Sequence, residues 1–300
     1  MSRGIYPVLQ MPLDEEENID ELTLTREIEW LLELGASGFA VAMVSEVMRF
    51  SSEERRAQWQ LILKIINSRV PLVVSVGAES TAVAVRQARL AESDGASLLM
   101  ATPPAIFPAT SEEIYSYYRS ILESVTIPVV VQDASNYMGQ PIEVSLYERL
   151  LAEFGPERVQ FKPEAVPVKD RVVAIQKAAS GKAKVFEGQS GMDLLDTHPL
   201  GLFGTMPGSE IVWAIKALWD ALEVGNTARA KEIHEAISIL ITFQTSLDAY
   251  VAVEKYLLVK QGIFTSARQR GPVRIILDED TKTKIDNAFE NLQQVVGSSK

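Results

Sequence analysis

The segment "SLLMATPPAIFPATSEEIYSYYRSILESVTIPVVVQD" (97–133) contains the pattern that decides the fold. A short apolar run (97–102) is followed by a longer amphipathic stretch (111–124) and then by a β-branched run (127–133). Short β-branched runs are typical of buried strands, and the longer periodic stretch is typical of a helix. The segment therefore predicts a strand, a crossover helix and a second, parallel strand.

The same alternation extends in both directions along the chain. Strands are predicted at 5–10, 38–44, 70–76, 97–102, 127–133, 158–162, 184–188 and 201–205. Helices are expected at 21–35, 52–67, 79–94, 111–124, 143–154, 168–179, 190–197 and 209–223, several of them opened by a capping residue: Ser51, Ser80, Thr110 and Ser209. Such a series predicts an α/β fold of the (β/α)8 TIM-barrel class, with an open doubly wound sheet as the alternative.

After Gly225 the alternation stops, and the remaining sequence has the periodicity of helices without an intervening strand. We therefore predict a barrel over residues 1–225 and a C-terminal helical extension over residues 226–300. The extension is expected to pack on the barrel or on a neighbouring subunit.

The composition limits the class of protein. Hydrophobic residues make up 47% of the 300 and charged residues 23%, which is typical of a globular chain. The net charge of −11 argues against nucleic acid or an anionic membrane as a partner, because no basic excess is present to neutralise phosphates. The absence of cysteine excludes disulfides and thiolate chemistry. Because no secretory signal or bilayer-length apolar run is visible, we expect a soluble cytoplasmic protein.

Active sites of TIM barrels lie at the carboxyl ends of the strands, and Lys162 is the only cation among the predicted strand ends. It closes the apolar run of "RVQFKPEAVP" (158–167). A lysine amine among apolar neighbours loses its proton more readily than one in water, and a neutral amine attacks carbonyl groups. The resulting Schiff base permits carbon–carbon cleavage or formation, or elimination of water. The alternative is a structural lysine that reaches solvent or pairs with Glu164 or Asp133.

The two histidines give no sign of a metal site. His198 is expected at the end of the barrel opposite the site and His234 in a charged C-terminal helix, and neither has a partner at ligand spacing. We therefore expect no metal, no cofactor and no histidine-based triad. The glycine-rich "GTMPGSE" (204–210) is suited to an anion, although a tight strand-to-helix turn also explains its glycines.

The order of these segments resembles the dihydrodipicolinate synthase/N-acetylneuraminate lyase family of class I aldolases and lyases. "RVQFKPEA" (158–165) is similar to the family's sixth strand, whose Schiff-base lysine maps to Lys162. "GFAVAMVSEVMRFSSEER" (38–55), "LMATPPAIFPATSEEIYSYYRSI" (99–121) and "GLFGTMPG" (201–208) are similar to the second, fourth and eighth strand segments. The resemblance implies a barrel with C-terminal helices, imine chemistry on a 2-oxo acid, and a homodimer or homotetramer.

The chain departs from the family at the positions that move protons. The family's strand-five tyrosine aligns with Gln132, and an amide cannot carry out that acid–base step. Two threonines that follow the second strand align with Met43 and Val44. The tyrosine that reaches a neighbouring subunit's site in the synthases aligns with Ala105. Dihydrodipicolinate synthesis is therefore not expected, and sialic acid cleavage by the usual relay is also in question.

Three residues are candidates to replace the missing relay. Asp133 would face away from the lumen on a regular strand, where it could cap the next turn. Tyr137 aligns with a substrate-contacting arginine of the family, and Glu46 aligns with a glutamate that supports loop structure. We assign catalysis to Lys162, Gln132, Asp133 and Tyr137. Substrate binding is assigned to Val44, Ser45, Gly188, Gly204, Thr205 and Met206.

The sequence thus predicts a Schiff-base lyase acting on a 2-oxo acid. The reaction is aldol cleavage or condensation with pyruvate, or dehydration of a 2-oxo-3-deoxy sugar acid. The loss of the tyrosine and both threonines also fits a weak or inactive relative that binds a 2-oxo acid in a regulatory or assembly role. A further alternative is a phosphate-binding barrel enzyme without imine chemistry.

Overall fold

In the computed structural model, which describes residues 1–297, parallel strands form a closed barrel. They are β1 (Gly4–Ile5), β2 (Phe39–Val41), β3 (Leu72–Ser75), β4 (Leu98–Ala101), β5 (Val129–Asp133), β6 (Val159–Pro163), β7 (Phe186–Glu187) and β8 (Gly204–Thr205). Strands β2 to β6 pair in sequence order, and β8 pairs with both β1 and β7. Bridges from Val8 to Ala40 and from Phe161 to Val185 join the two sets. The predicted (β/α)8 barrel is confirmed.

Helices follow the strands on the outside of the barrel. They are α1 (Glu21–Glu33), α2 (Ser52–Ile66), α3 (Thr81–Asp94), α4 (Ser111–Ser124), α5 (Val144–Phe154), α6 (Val168–Ala178), α7 (Leu194–Thr197) and α8 (Val212–Glu223). The chain continues in α9 (Thr227–Ile241), α10 (Leu247–Lys260) and α11 (Glu279–Gly297). The division of the chain at residue 225 stays a prediction, and the last three residues of the predicted extension lie outside the described range. No helix within residues 1–297 has both the length and the apolar character needed to cross a membrane.

The alternation of side chains along each strand separates two cores. One core fills the lumen and contains Val73, Met100 and Val130, whereas their neighbours along the strands pack outward against the helices. On β5 and β6 this alternation brings Gln132 and Lys162 to the lumen, where the strand register makes them direct neighbours. Strand geometry alone therefore places the lysine at the carboxyl end of the barrel.

The four capping predictions had three different outcomes. Ser51 and Thr110 open α2 and α4, and each accepts a hydrogen bond from the backbone N–H of a glutamate three residues later. Ser80 precedes α3, but its side chain makes no capping hydrogen bond. The prediction for Ser209 was wrong, because α8 begins at Val212 and the Ser209 hydroxyl donates to Glu27 Oε1 at 2.6 Å. The Ser209 hydroxyl therefore makes a tertiary hydrogen bond and does not cap α8.

A buried ion pair fastens α10 to the loop after β2. The Lys255 ammonium donates to Glu46 Oε2 and, at 2.7 Å, to the carbonyl oxygen of Arg268. Both members of the pair are almost fully buried. Glu46 Oε1 also accepts the backbone N–H of Arg270 at 2.7 Å. Glu46 therefore has the structural role that the sequence indicated.

Replacing Lys255 by alanine should strongly destabilise the protein, because the Glu46 carboxylate would stay buried without its cation. We expect the free energy of unfolding to fall by about 3–5 kcal/mol, measured by urea denaturation. The control is Lys216→Ala, which removes the exposed pair with Asp220 and should cost no more than about 0.5 kcal/mol. Equal effects of the two substitutions would contradict the assigned role of the buried pair.

Candidate functional site

A small cavity of about 40 Å³ opens at the carboxyl ends of the strands. Gln132 and Lys162 reach it from β5 and β6, and Tyr250 and Glu254 reach it from α10. The helix α10 thus forms one wall of a pocket whose other walls come from the barrel.

The centre of the cavity wall is an ion pair between Lys162 and Glu164. The lysine Nζ lies 2.9 Å from Glu164 Oε1, and the two residues are only 4% and 1% exposed. The Gln132 amide donates to the other oxygen, Glu164 Oε2, at 2.8 Å. Burial raises the pKa of Glu164, and the nearby Lys162 charge opposes that shift. The raised pKa makes Glu164 a better proton acceptor than a carboxylate in water.

Gly188 leaves room for the amine. A Cβ atom at this position would lie 2.7 Å from Cε and 2.8 Å from Nζ of Lys162, closer than side-chain contacts allow. The residue lines the cavity next to the Lys162 amine. Any larger residue at 188 must displace the lysine.

Two tyrosines contribute phenol groups to the cavity. The rings of Tyr137 and Tyr250 meet edge to face with 5.7 Å between centroids, and both residues line the wall. The Tyr137 hydroxyl lies 3.4 Å from Gln189 Oε1. Burial raises the pKa of Tyr250 to about 12 and raises the pKa of Tyr137 as well. Both phenols are therefore neutral near pH 7.

Of the predicted substrate-binding residues, Val44, Gly188 and Met206 line the cavity. Ser45 does not, because its hydroxyl donates to the carbonyl oxygen of Leu9 at 2.5 Å and is completely buried. The prediction that Ser45 supplies a hydroxyl to the substrate is thus corrected by a backbone contact that the sequence did not indicate.

Two further predicted binding residues, at the end of β8, also lie behind the cavity wall. The Thr205 hydroxyl donates to Glu187 Oε2 at 2.5 Å. A Cβ atom at Gly204 would lie 2.5 Å from the carbonyl oxygen of Gly4, so this glycine permits close packing of β8 against β1. Their positions support the barrel closure and not direct contact with a ligand.

Asp133 faces away from the cavity, in agreement with the alternation along β5. Its carboxylate accepts hydrogen bonds from the backbone N–H of Ser135 at 3.1 Å and of Ile142 at 2.9 Å, and from the Tyr147 hydroxyl at 3.2 Å. Arg171 lies 3.4 Å away. The assignment of Asp133 to catalysis is therefore replaced by the capping role that the sequence left as its alternative.

Sequence reasoning missed the acidic residues on the α10 side of the site. Glu254 is 1% exposed and lines the cavity, and Glu210 and Glu27 are fully buried in the same region. Burial raises the pKa of Glu27 to about 8 and of Glu210 to about 7, and it raises the pKa of Glu254 well above its usual range. The available signal was the spacing of Tyr250 and Glu254, which places a glutamate and a tyrosine on one face of a largely apolar helix.

Both histidines lie away from the cavity. His198 Nε2 is 2.9 Å from Glu223 Oε1, and His234 Nε2 is 2.8 Å from the carbonyl oxygen of Met192. Within residues 1–297, no three acidic or histidine side chains are grouped so that they could hold a metal ion.

The barrel, the strand-six lysine and the C-terminal helices define a TIM-barrel enzyme of the aldolase and lyase type. The family model described as "Dihydrodipicolinate synthetase family" matches residues 1–292. The chain belongs to this family, whose members are lyases.

Known relatives are distant in sequence and close in fold. The chain is 24% identical to L-2-keto-3-deoxyarabonate dehydratase of Azospirillum brasilense, with 94% of this chain and 92% of the relative covered. The 4-hydroxy-tetrahydrodipicolinate synthase of Methylacidiphilum fumariolicum SolV superposes with a TM-score of 0.89 at 21% identity, covering 99% of this chain and 98% of the other. YagE, a prophage protein of the family from E. coli K12 solved in complex with pyruvate, superposes with a TM-score of 0.88 at 20% sequence identity. The match covers 97% of this chain and 98% of the other.

The buried carboxyl group of Glu27 should make stability depend on pH. Its pKa is about 8 in the folded chain against 4.5 ordinarily, so between these values the folded state holds a proton that the unfolded state has lost. The contribution of Glu27 to the free energy of unfolding therefore falls as pH rises from about 4.5 to about 8. Glu27→Gln should lessen the loss of unfolding free energy between about pH 5 and pH 8 by more than about 1 kcal/mol, measured by urea denaturation.

The matched control is Glu235→Gln, which changes an exposed glutamate of α9. It should leave the pH dependence of stability as it is in the wild type. The same slope in the wild type and in Glu27→Gln would show that Glu27 ionises normally in the folded chain.

Proposed function

We propose that the protein is a Schiff-base lyase acting on a 2-oxo acid, with Lys162 as the nucleophile. The observation that carries the proposal is the Lys162–Glu164 pair, buried at the wall of a cavity at the carboxyl ends of the strands. A lysine held there with its own proton acceptor is the arrangement that nucleophilic amine catalysis requires.

The chemistry follows from the two oxygens of Glu164. Oε1 accepts the proton of the Lys162 ammonium, and the free amine attacks the C2 carbonyl of the substrate. The carboxyl group then returns the proton to the carbinolamine oxygen, which leaves as water and gives the iminium. Gln132 acts as a positioning residue, because its amide holds Oε2 and so directs Oε1 toward the lysine.

The iminium makes the bonds at C3 reactive. Electrons from a C3–H bond or from the C3–C4 bond move toward the positively charged nitrogen, which permits deprotonation or aldol cleavage. The carbon C3 and the lysine nitrogen are both bonded to C2, so a carboxylate beside the nitrogen is also near C3. Glu164 is therefore suited to remove the C3 proton.

The lining of the cavity favours a substrate with one carboxylate and an uncharged remainder. Among the described residues that line it, Lys162 is the only cation, and imine formation uses that group. No cation of this lining is then left to bind a second carboxylate. Gln132, Ala105 and Tyr137 replace the residues by which synthases of the family relay protons and bind a second carboxylate. We therefore propose a reaction other than dihydrodipicolinate synthesis, as in the dehydratase of Azospirillum brasilense.

We also propose that the protein forms a homodimer or homotetramer. Light scattering would measure the mass of the particle.

Borohydride reduction with pyruvate and a panel of 2-oxo acids tests the imine. We expect a stable mass increase on the peptide that contains Lys162, and none in Lys162→Arg, which keeps the charge beside Glu164 but forms no imine. Two lysines of the same chain serve as internal controls: the buried Lys255 and the partly exposed Lys184. Neither should be labelled.

An adduct with none of the 2-oxo acids would contradict the proposal. Turnover separates an enzyme from a weak or inactive relative, since only an enzyme gives saturable product release that Lys162→Ala abolishes. Protection from unfolding by phosphosugars but not by 2-oxo acids would favour the phosphate-binding alternative.

Gly188→Ala should impair trapping while the protein stays folded. The added methyl group must move the Lys162 amine, which lies 2.8 Å from the new Cβ position, and misplacement of a reacting group on this scale costs about 100-fold in rate. We expect the rate of borohydride-trapped imine formation to fall at least about tenfold. Gly297→Ala, where the added atom meets nothing within 4 Å, is the control. Equal trapping rates in the two variants would mean that the amine does not react in the position seen here.

A further inference from the structure

A pair of carboxyl groups at the α10 side of the cavity has no part in the chemistry of Lys162 described above. Glu254 projects from α10 and lines the cavity, and Glu210 lies just before α8. The two side chains converge over Gly208, which also lines the cavity. A Cβ atom at Gly208 would clash with Glu210 Oε2 and would lie 2.5 Å from Glu254 Oε1.

The two converging oxygens have no hydrogen-bond partner among residues 1–297, although both are buried. The other oxygens are satisfied, since Glu254 Oε2 accepts from the Gln10 amide and Glu210 Oε1 accepts from the Gln244 amide at 3.2 Å. Two adjacent carboxylates buried without a cation cannot both be ionised. A proton on one of the two carboxyl groups removes one of the two buried charges.

The groups that face Glu254 favour retention of this proton. Glu210 and Glu27 are acidic, whereas Gln10 and Tyr250 are neutral. Lys255, next in sequence, directs its ammonium to Glu46. Burial, followed by the charge of Glu210, raises the pKa of Glu254. These surroundings favour the protonated form of Glu254 at the cavity wall.

We propose that Glu254, kept protonated by Glu210, is the catalytic acid of this site and that the reaction is dehydration of a 2-oxo acid with a hydroxyl group at C4. The inference rests on the proposed imine at Lys162. It assigns to Glu254 of α10 a proton transfer that Gln132, which aligns with the family's strand-five tyrosine, cannot perform.

The elimination balances with the residues at hand. Glu164 takes the C3 proton, and the electrons of the C3–H bond form the enamine. The enamine then expels the C4 hydroxyl group as the C4–O bond breaks, and the oxygen takes the Glu254 proton and leaves as water. The product is the conjugated iminium, which water hydrolyses from Lys162. The proton on Glu164 passes through solvent to restore the acid at Glu254.

The protonation state of the pair distinguishes dehydration from aldol cleavage. Cleavage of the C3–C4 bond requires a base that removes the proton of the C4 hydroxyl group, and a carboxylic acid does not supply one. Elimination requires an acid at the same oxygen. The Glu210–Glu254 pair therefore favours loss of water over release of an aldehyde.

Glu254→Gln separates the acid step from imine formation. The amide keeps the shape of the side chain and an oxygen for Gln10, but it cannot donate a proton to a leaving group. With a five-carbon 2-oxo-3-deoxy acid hydroxylated at C4, we expect loss of water to slow about 100-fold or more. Borohydride trapping of pyruvate at Lys162 should stay within about threefold of wild type, and Glu235→Gln should match wild type in both assays.

Each outcome has a distinct meaning. Absence of trapping in the wild type overturns the proposed function, whereas normal trapping with undiminished dehydration by Glu254→Gln overturns only the role of Glu254. Release of pyruvate and an aldehyde by the wild type, without a dehydrated product, also overturns the inference. Thermal unfolding of each variant shows whether a loss of turnover comes from a loss of folded protein.

Glu210→Gln provides a second test through the pH profile. Without the neighbouring negative charge, Glu254 should lose its proton more easily, and dehydration should decline at lower pH than in the wild type. We expect the alkaline limb to move down by about one pH unit or more. An unchanged limb in Glu210→Gln would contradict the role of Glu210 in keeping Glu254 protonated.

Discussion

Lys162 and Glu164 bury opposite charges 2.9 Å apart at the end of β6, and the site is built around this contact. Burial of either charge without the other would cost several kcal/mol of folding free energy, so each residue depends on the other. Gln132 satisfies the remaining carboxylate oxygen, and Gly188 leaves space for the amine. In the proposed mechanism stability and reactivity share one cause, because the group that compensates the lysine charge also accepts its proton.

The other side of the cavity depends on how α10 is attached to the barrel. The Lys255–Glu46 pair fixes α10 against the loop after β2, and Glu254 precedes that lysine in the chain. A buried ion pair with a structural role thus sets the position of an acid that faces the cavity. In the proposed mechanism the barrel supplies the nucleophile and its base, and α10 supplies the acid Glu254 beside the phenol of Tyr250.

The parts of the site that depend on strand alternation could be predicted from the sequence. Lys162 and Gln132 face the lumen because their positions on adjacent strands require it, and the outward direction of Asp133 followed from the same alternation. Contacts between distant segments could not be predicted. The Ser45 hydroxyl donates a hydrogen bond to the carbonyl oxygen of Leu9. Glu254 reaches the cavity only because α10 packs across it. Local periodicity contains no information on such contacts.

A crystal structure after soaking with pyruvate would test the proposed imine most directly. A Schiff-base mechanism predicts continuous density from Lys162 Nζ to C2 of the ligand, with Glu164 beside the new bond and the Gln132 amide still hydrogen-bonded to the Glu164 carboxylate. Pyruvate bound without a covalent link to Lys162, or bound away from the cavity, would contradict a Schiff-base mechanism.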